Sequence, residues 1–264
     1  MRFSQRLRLL RNKRYEDWWH IVFGGPVGVF LGALVADVRW ITANQVTLLA
    51  TALRLAGAGL MLAQSRGADL AACALLQAGL ALDITDGSIA RYRKQPSALG
   101  AFLDKITDGL GLGTLGLCLG VRAYLDGHGV VAVAAGAFIG LSYLLRCYMY
   151  WVVAYLEKER AQASAGAGGQ APAPSVAATT VRPFGELGLG ERLRYYLAQS
   201  WRIVMVGEGD LYFWIGLALV LGRPGDAVLP LAGAMAVWLV ILGGKRIATV
   251  MRLDRAAAAA REVA

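Results

Sequence analysis

The sequence predicts an all-α, polytopic membrane protein with six transmembrane helices and an N-terminal interfacial amphipathic helix. Three observations carry that prediction. Hydrophobic residues make up 57% of the chain and charged residues 17%, with a mean hydropathy of +0.50. Apolar runs recur at lengths that can cross roughly 30 Å of hydrocarbon at about 1.5 Å per residue. Basic residues gather at alternate ends of those runs, as cytoplasmic loops do. The composition excludes a disordered chain, a disulfide-stapled secreted module and a soluble enzyme built around one core. A formal charge of +9 would point to nucleic acid in a soluble protein; here it records loop charge, and no nucleic-acid partner is expected. Cys73, Cys118 and Cys147 lie in apolar stretches without a CxxC pair and read as small core residues.

The first twenty residues hold Arg2, Arg6, Arg8, Arg11, Lys13 and Arg14 without an apolar core directly behind them, which does not fit a signal peptide. Residues 21–38 follow Trp18 and Trp19 and are interrupted by Gly24, Gly25, Pro26, Gly28 and Gly32, favouring an interfacial helix over a seventh span. Spans are expected at about 44–64, 69–92, 98–124, 128–156, 209–222 and 227–250. The fifth is short, and Trp201, Tyr212, Phe213 and Trp214 can extend or anchor it at the interface. Residues 161–180 are rich in Ala, Gly, Ser, Pro and Gln and read as a flexible linker. The stretch 189–203 reads as a surface helix on anionic lipid, or as one that brings Arg194 or Arg202 over an active site. The expected organisation is an N-terminal cytoplasmic or interfacial segment (1–40), a six-helix transmembrane domain (41–250) with a cytoplasmic insertion at 157–208, and a cytoplasmic tail (251–264).

Charge placement tests the topology. The N-terminus, the 91–98 turn, the 157–208 segment and the C-terminus hold twenty Lys and Arg residues, whereas the opposite loops hold only Arg66, Arg122 and Arg223. Six spans with both termini on the cytoplasmic face of the cell membrane satisfy this asymmetry; seven would put the basic N-terminus outside.

Acidic residues inside spans are expensive and by default functional. Asp83 and Asp86 share a face near the end of one predicted helix; Asp104 and Asp108 share a face near the start of the next. A short turn containing Pro96, with Gly100 behind it, makes the two helices antiparallel neighbours, so the pairs can converge. Four converging carboxylates without comparable thiols or imidazoles form a hard-oxygen set suited to Mg²⁺, Mn²⁺ or Ca²⁺, and without a cation they would repel one another in low dielectric. Gly87, Ala90 and Gly100 leave room for close helix packing or for a bulky ligand against backbone.

The string Asp83-x2-Asp86-Gly87-x2-Ala90-Arg91-x8-Gly100-x3-Asp104-x3-Asp108 resembles, at every fixed position, the signature of the CDP-alcohol phosphotransferases. Upstream, Thr42-Ala43-Asn44-Gln45-Val46-Thr47 is similar to the stretch that opens their first span, with Ala43 in place of the usual proline. The resemblance implies a six-helix, dimeric membrane enzyme that transfers a phosphoalcohol from a CDP-linked lipid or alcohol to the hydroxyl of a polar acceptor and releases CMP. It implies one or two Mg²⁺ or Mn²⁺ ions on Asp83, Asp86, Asp104 and Asp108, with Asp108 also taking the acceptor's proton. Gly87, Ala90 and Gly100 would line the nucleotide, and Arg91 would lie near its phosphates or pair locally.

Arg54 and Arg146 fall within predicted spans, where each either pairs with an aspartate or caps a carbonyl, or seeks a substrate anion. If Arg146 joins Lys105 or Arg202 in the catalytic cavity, the acceptor carries phosphate, as glycerol 3-phosphate and inositol phosphate do, and CDP-diacylglycerol is the donor. Lys105 after Asp104 and the long N-terminal region depart from phosphatidylglycerophosphate synthases. The long N-terminal region is also similar to choline/ethanolamine phosphotransferases and archaeal-type inositol phosphodiester synthases. Intramembrane prenyltransferases also bind diphosphates through aspartates, but Gly87, Ala90, Arg91 and Gly100 favour the CDP-alcohol family. A cation transporter would need polar residues continuing to the other face. Deleting most of 161–180 is expected to leave CMP release largely intact; complete loss would show that this stretch is more than a linker.

Overall fold

The computed structural model describes residues 3–10, 17–95, 97–166, 188–200 and 206–263. Among them every regular element is helical: α1 (Phe3–Leu10), α2 (Gly25–Val35), α3 (Ala43–Leu60), α4 (Arg66–Tyr92), α5 (Ala98–Ala123), α6 (Val130–Gly166), α7 (Leu189–Gln199), α8 (Glu208–Leu221) and α9 (Val228–Val263). Four helical stretches are long and apolar enough to cross a membrane: Ala43–Ala63, Arg66–Tyr92, Val130–Gln162 and Gly225–Ala256. Helices also stand at the other two expected spans. In α5, glycines together with Asp104, Lys105, Asp108 and Arg122 dilute the apolar content, while α8 has only 14 residues. Large apolar side chains point outward along the bundle, among them Phe102, Ile106, Leu141, Trp151, Val237 and Val240. A surface of that kind suits lipid.

Local chemistry sets the helix ends. Thr42 and Gln45 form a reciprocal capping box at the start of α3, with Thr42 N–H donating to Gln45 Oε1 (2.8 Å) and Gln45 N–H to Thr42 Oγ1 (3.2 Å). Ser65 and Ser97 cap α4 and α5 by accepting from the N–H groups of Ala68 and Gly100. The chain leaves α4 through Lys94 in the left-handed region (φ 52°). There Arg93 donates to the carbonyls of Ala36, Ile41 and Val38 in the segment that follows α2. A residue of the basic turn thus ties the N-terminal segment to the bundle.

The helices pack α3 against α4 and α5, α4 against α2 and α8, α5 against α6, and α6 against α9. Glycines set several of these contacts, those of α2 with α4 and of α5 with α6 among them. Two of the glycines expected to interrupt the helix instead form its contact with α4: a Cβ on Gly28 of α2 would lie 2.7 Å from the Ala81 carbonyl oxygen, and one on Gly24, just before α2, 2.8 Å from Ile84 Cδ1. Close approach to α4 outweighs glycine's weak helix preference. Between α5 and α6, a Cβ on Gly136 would land on the Gly116 carbonyl and on Gly120.

Two helices run further than expected. α6 continues to Gly166, so the first six residues of the expected linker are helical, and α9 continues to Val263, so the expected tail is helical too. Glu157, Lys158, Arg160 and the alanines of 256–260 are strong helix formers with no breaker among them. Arg160 pairs with Asp254 between the two extensions. The rest of the linker, Pro96, Trp201 and Arg202 lie outside the described residues.

At the end remote from the 93–97 turn, buried Arg122 binds both oxygens of Asp69 (2.7 and 3.2 Å), Asp126 (2.9 Å) and the Met61 carbonyl (2.5 Å). The three cysteines are free and half-buried. Gly136→Ala should lower unfolding stability in detergent by about 1–3 kcal/mol through overpacking. Gly113→Ala, whose added methyl meets nothing within 4 Å, should leave it unchanged or slightly raised. Equal effects of the two would contradict backbone contact between α5 and α6.

Candidate active site

Small residues on α4 and α5 create the slot from which the site is built. The wholly buried side chain of Arg54, from α3, runs between Gly79 and Gly111. A Cβ on Gly79 would come within 2.6 Å of Arg54 Cγ, and one on Gly111 within 3.5 Å of its Nε. Asp83 is one turn after Gly79 and Asp108 one turn before Gly111, so both carboxylates lie on the faces that admit the guanidinium. Arg54 Nη2 donates to Asp83 Oδ1 at 3.0 Å; Nη1 donates to Asp108 Oδ1 at 3.4 Å and lies 3.7 Å from Glu208 Oε1. One planar fork joins α3, α4, α5 and α8.

Asp104 completes the cluster from one turn earlier on α5. Lys105 Nζ donates to Asp104 Oδ2 at 2.6 Å and stands 3.5 Å from Asp108 Oδ2. Asp83, Asp104 and Asp108 each present a carboxylate oxygen, all within 4.8 Å of one another. Three hard oxygen donors at this spacing could hold a divalent cation, and the nearby Arg54 and Lys105 do not balance the combined charge of these aspartates, Asp86 and Glu208.

The structure brings together three of the four expected ligands. Asp86 is also buried, but its Oδ2 accepts from Thr47 Oγ1 and it stands outside the trio. Residues three apart on a helix differ by about 60° in direction, and Thr47, on α3, meets Asp86 there. Arg91 pairs locally: it is exposed, its Nη2 donates to Ser88 Oγ at 3.3 Å, and its Nη1 would lie 3.1 Å from a Cβ on Gly87. A Cβ on Gly100 would sit 3.2 Å from Asn44 Oδ1, so the opening of α3 adjoins the start of α5. Ala90 is half-buried.

Arg54 thus pairs with aspartates, whereas Arg146 stacks its guanidinium 5.1 Å from the Tyr143 ring centroid. Arg194 is exposed on α7.

Several residues of the site carry no mark in the sequence pattern. Glu208, 14% exposed in its side chain, accepts from Tyr143 Oη at 3.1 Å through Oε2. The one signal for it is an acidic residue between Gly207 and Gly209 at the mouth of an apolar stretch. From the N-terminal segment, Asp17 Oδ2 is 3.1 Å from His20 Nδ1 and accepts from Gly209 N–H at 3.1 Å. Burial opposes the charge on Asp17, but the hydrogen bond and charge of His20 outweigh it and hold its carboxyl at about 2. Burial likewise opposes protonation of His20, and Asp17 overcomes this to raise the imidazole above its ordinary value.

Arg54→Met should lower unfolding stability by about 3–5 kcal/mol, because Asp83 and Asp108 lose their buried partner. Arg54→Lys should recover only part of it, since one ammonium cannot reproduce the fork. Thermal unfolding in detergent reads both; an unchanged midpoint for Arg54→Met would contradict the pairing.

The family model for CDP-alcohol phosphatidyltransferase matches residues 40–206. No curated protein matches the chain. The matched region includes α3, α4 and α5, and with them Arg54 and all four motif aspartates. These enzymes use a CDP-alcohol donor, an alcohol acceptor and generally a divalent metal ion, in phospholipid synthesis. With its matched region and its aspartate cluster, the chain belongs to the CDP-alcohol phosphatidyltransferase family and is a transferase of substituted phosphate groups.

Proposed function

We propose that this enzyme transfers a phosphatidyl group from CDP-diacylglycerol to the hydroxyl of a phosphorylated polar alcohol, of the glycerol 3-phosphate or inositol phosphate type, releasing CMP. The observation that carries the reading is a carboxylate trio within 4.8 Å, joined through Arg54 to Glu208, which Arg146 also neighbours. Arg146 favours a phosphorylated acceptor: it lies among Asp17, Tyr143 and Glu208 without an ion pair of its own among the described residues. An acceptor such as diacylglycerol would give it no anion. Exposed Leu99, Phe102 and Ile106 flank Asp104 on α5 and offer an apolar approach for a lipid donor.

In this reading α3, α4, α5, α6, α8 and α9 make six spans, with the site and both termini on the cytoplasmic face of the cell membrane and α2 at the interface. The enzyme works as a homodimer. Mg²⁺ or Mn²⁺ held by Asp83, Asp104 and Asp108, with Asp86 beside them, would neutralise charge on the donor's diphosphate. Gly87, Ala90 and Gly100 leave the space in which the nucleotide lies, with Arg91 at its edge. Asp108 accepts the proton of the acceptor hydroxyl. The acceptor oxygen then bonds to the phosphorus that carries the diacylglycerol, and the bond from that phosphorus to the bridging oxygen breaks, so CMP leaves with the bridging oxygen. Lys105 stands at the exposed rim of the aspartates and Arg146 orients the acceptor's phosphate.

Release of labelled CMP in lipid vesicles tests this. CDP-diacylglycerol with glycerol 3-phosphate or inositol phosphate should give CMP, and diacylglycerol as acceptor should not. Asn at Asp83, Asp86, Asp104 or Asp108 should abolish release while membrane insertion persists. Arg146→Leu should raise KM for the phosphorylated acceptor at least about tenfold with donor KM unchanged, the loss of one charge-assisted contact. No CMP from any CDP-alcohol would refute the assignment.

A further inference from the structure

Glu208, Asp17 and His20 all lie outside the residues matched by the family, yet they meet at the site. They meet because Glu208 is flanked by glycines. A Cβ on Gly207 would fall on the Asp17 carboxylate, and one on Gly209 would lie 2.8 Å from His20 Nδ1 and 3.0 Å from His20 Cγ. The absent side chains are replaced by the carboxylate and imidazole of the N-terminal segment, laid against the backbone on both sides of Glu208.

The contact is fastened at several points. Asp17 accepts from Gly209 N–H, Trp19 N–H donates to Asp210 Oδ1 at 2.9 Å, and Asp210 Oδ2 accepts from Gly207 N–H at 3.2 Å. Trp19 Nε1 donates to Gln77 Oε1 at 2.8 Å, and Gln77 Nε2 donates to the Tyr212 carbonyl at 2.9 Å. Trp18 and Trp19 pack on Phe213 with ring centroids 5.5 and 4.8 Å away. The first turn of α8 is therefore gripped from its amides and from its aromatic face, and Glu208, held there, reaches Arg54 and Tyr143.

We infer that the N-terminal segment is part of the catalytic apparatus: Asp17 and His20 are positioning residues that set Glu208 against Arg54 and Tyr143, so that removing them slows turnover without weakening nucleotide binding. This rests on the proposed transfer reaction. The residues assigned to the nucleotide, Gly87, Ala90 and Gly100, stand beside the 93–97 turn, whereas the Asp17 carboxylate bonds to the first turn of α8, so nucleotide affinity should be untouched. The guanidinium that holds Asp83 and Asp108 is the same one that Glu208 faces, so a shifted Glu208 changes the reacting side.

The experiment uses the full chain in vesicles or detergent and measures kcat, KM for donor and acceptor, CMP affinity by calorimetry, and thermal unfolding. Asp17→Ala and Gly209→Ala should each lower kcat about 100-fold, the penalty for a misplacement of about 1 Å, with CMP affinity within about twofold of the parent. Asp17→Asn, whose amide oxygen can still accept from Gly209 N–H, should recover part of the loss. Near-parental kcat in Asp17→Ala would overturn the inference alone, with the transfer reaction intact. A parallel fall in kcat, CMP affinity and unfolding temperature would also overturn it, by making the segment a general scaffold. A parent protein inactive with every CDP-alcohol would defeat the proposed function and this inference together.

Discussion

A guanidinium with no exposed surface, buried among carboxylates at the junction of four helices, is the constraint on which this architecture depends. Arg54 cannot lose its charge, and in a low-dielectric interior an unpaired arginine would cost several kcal/mol. It must be surrounded by anions, and the anions must be close. Gly79 and Gly111 admit its side chain, Asp83 and Asp108 receive its two terminal nitrogens, and Glu208 faces one of them. The same carboxylates in isolation would repel one another. Arg54 and Lys105 offset part of that repulsion and leave a carboxylate trio that could hold a divalent cation.

The rest of the bundle holds that junction steady. α4 is clasped by α3 on one side and by α2 and α8 on others, and glycines let α2 approach its backbone closely. Arg93 fixes the end of α4 to the end of α2 through backbone carbonyls, while at the far end Arg122 binds Asp69, Asp126 and Met61. Both ends of the pairing helices are thus pinned by arginines that meet oxygen ligands, which suits a chain whose outer surface is apolar. Rigid placement of carboxylates serves phosphoryl transfer, where positioning and charge neutralisation supply most of the rate.

The aspartate pairs are legible in the sequence because helical spacing is a short-range property. Asp83 with Asp86, and Asp104 with Asp108, sit within one turn of each other, and the turn between their helices is short enough to force them together. What spacing does not resolve is direction at finer grain: Asp86 is rotated from Asp83 far enough to be held by Thr47. Glu208 and Tyr143 are not legible, because their partners are distant in sequence and no period marks them. The glycines of 24–32 read as breakers because their helix preference is poor, yet close tertiary contact with α4 outweighs that preference. The extensions of α6 and α9 are hidden by the change from apolar to charged and alanine-rich residues, which ends a membrane span without ending a helix.

If Arg54 organises the site in this way, Asp83, Asp104 and Asp108 form one metal-binding centre. Diffraction from crystals grown with Mn²⁺ and CMP, recorded for manganese anomalous scattering, tests this most directly. Manganese should be bound by oxygens of all three aspartates, with Arg54 still contacting Asp83 and Asp108. Manganese bound elsewhere, or an Arg54 turned away from the aspartates while the metal is held, would contradict it.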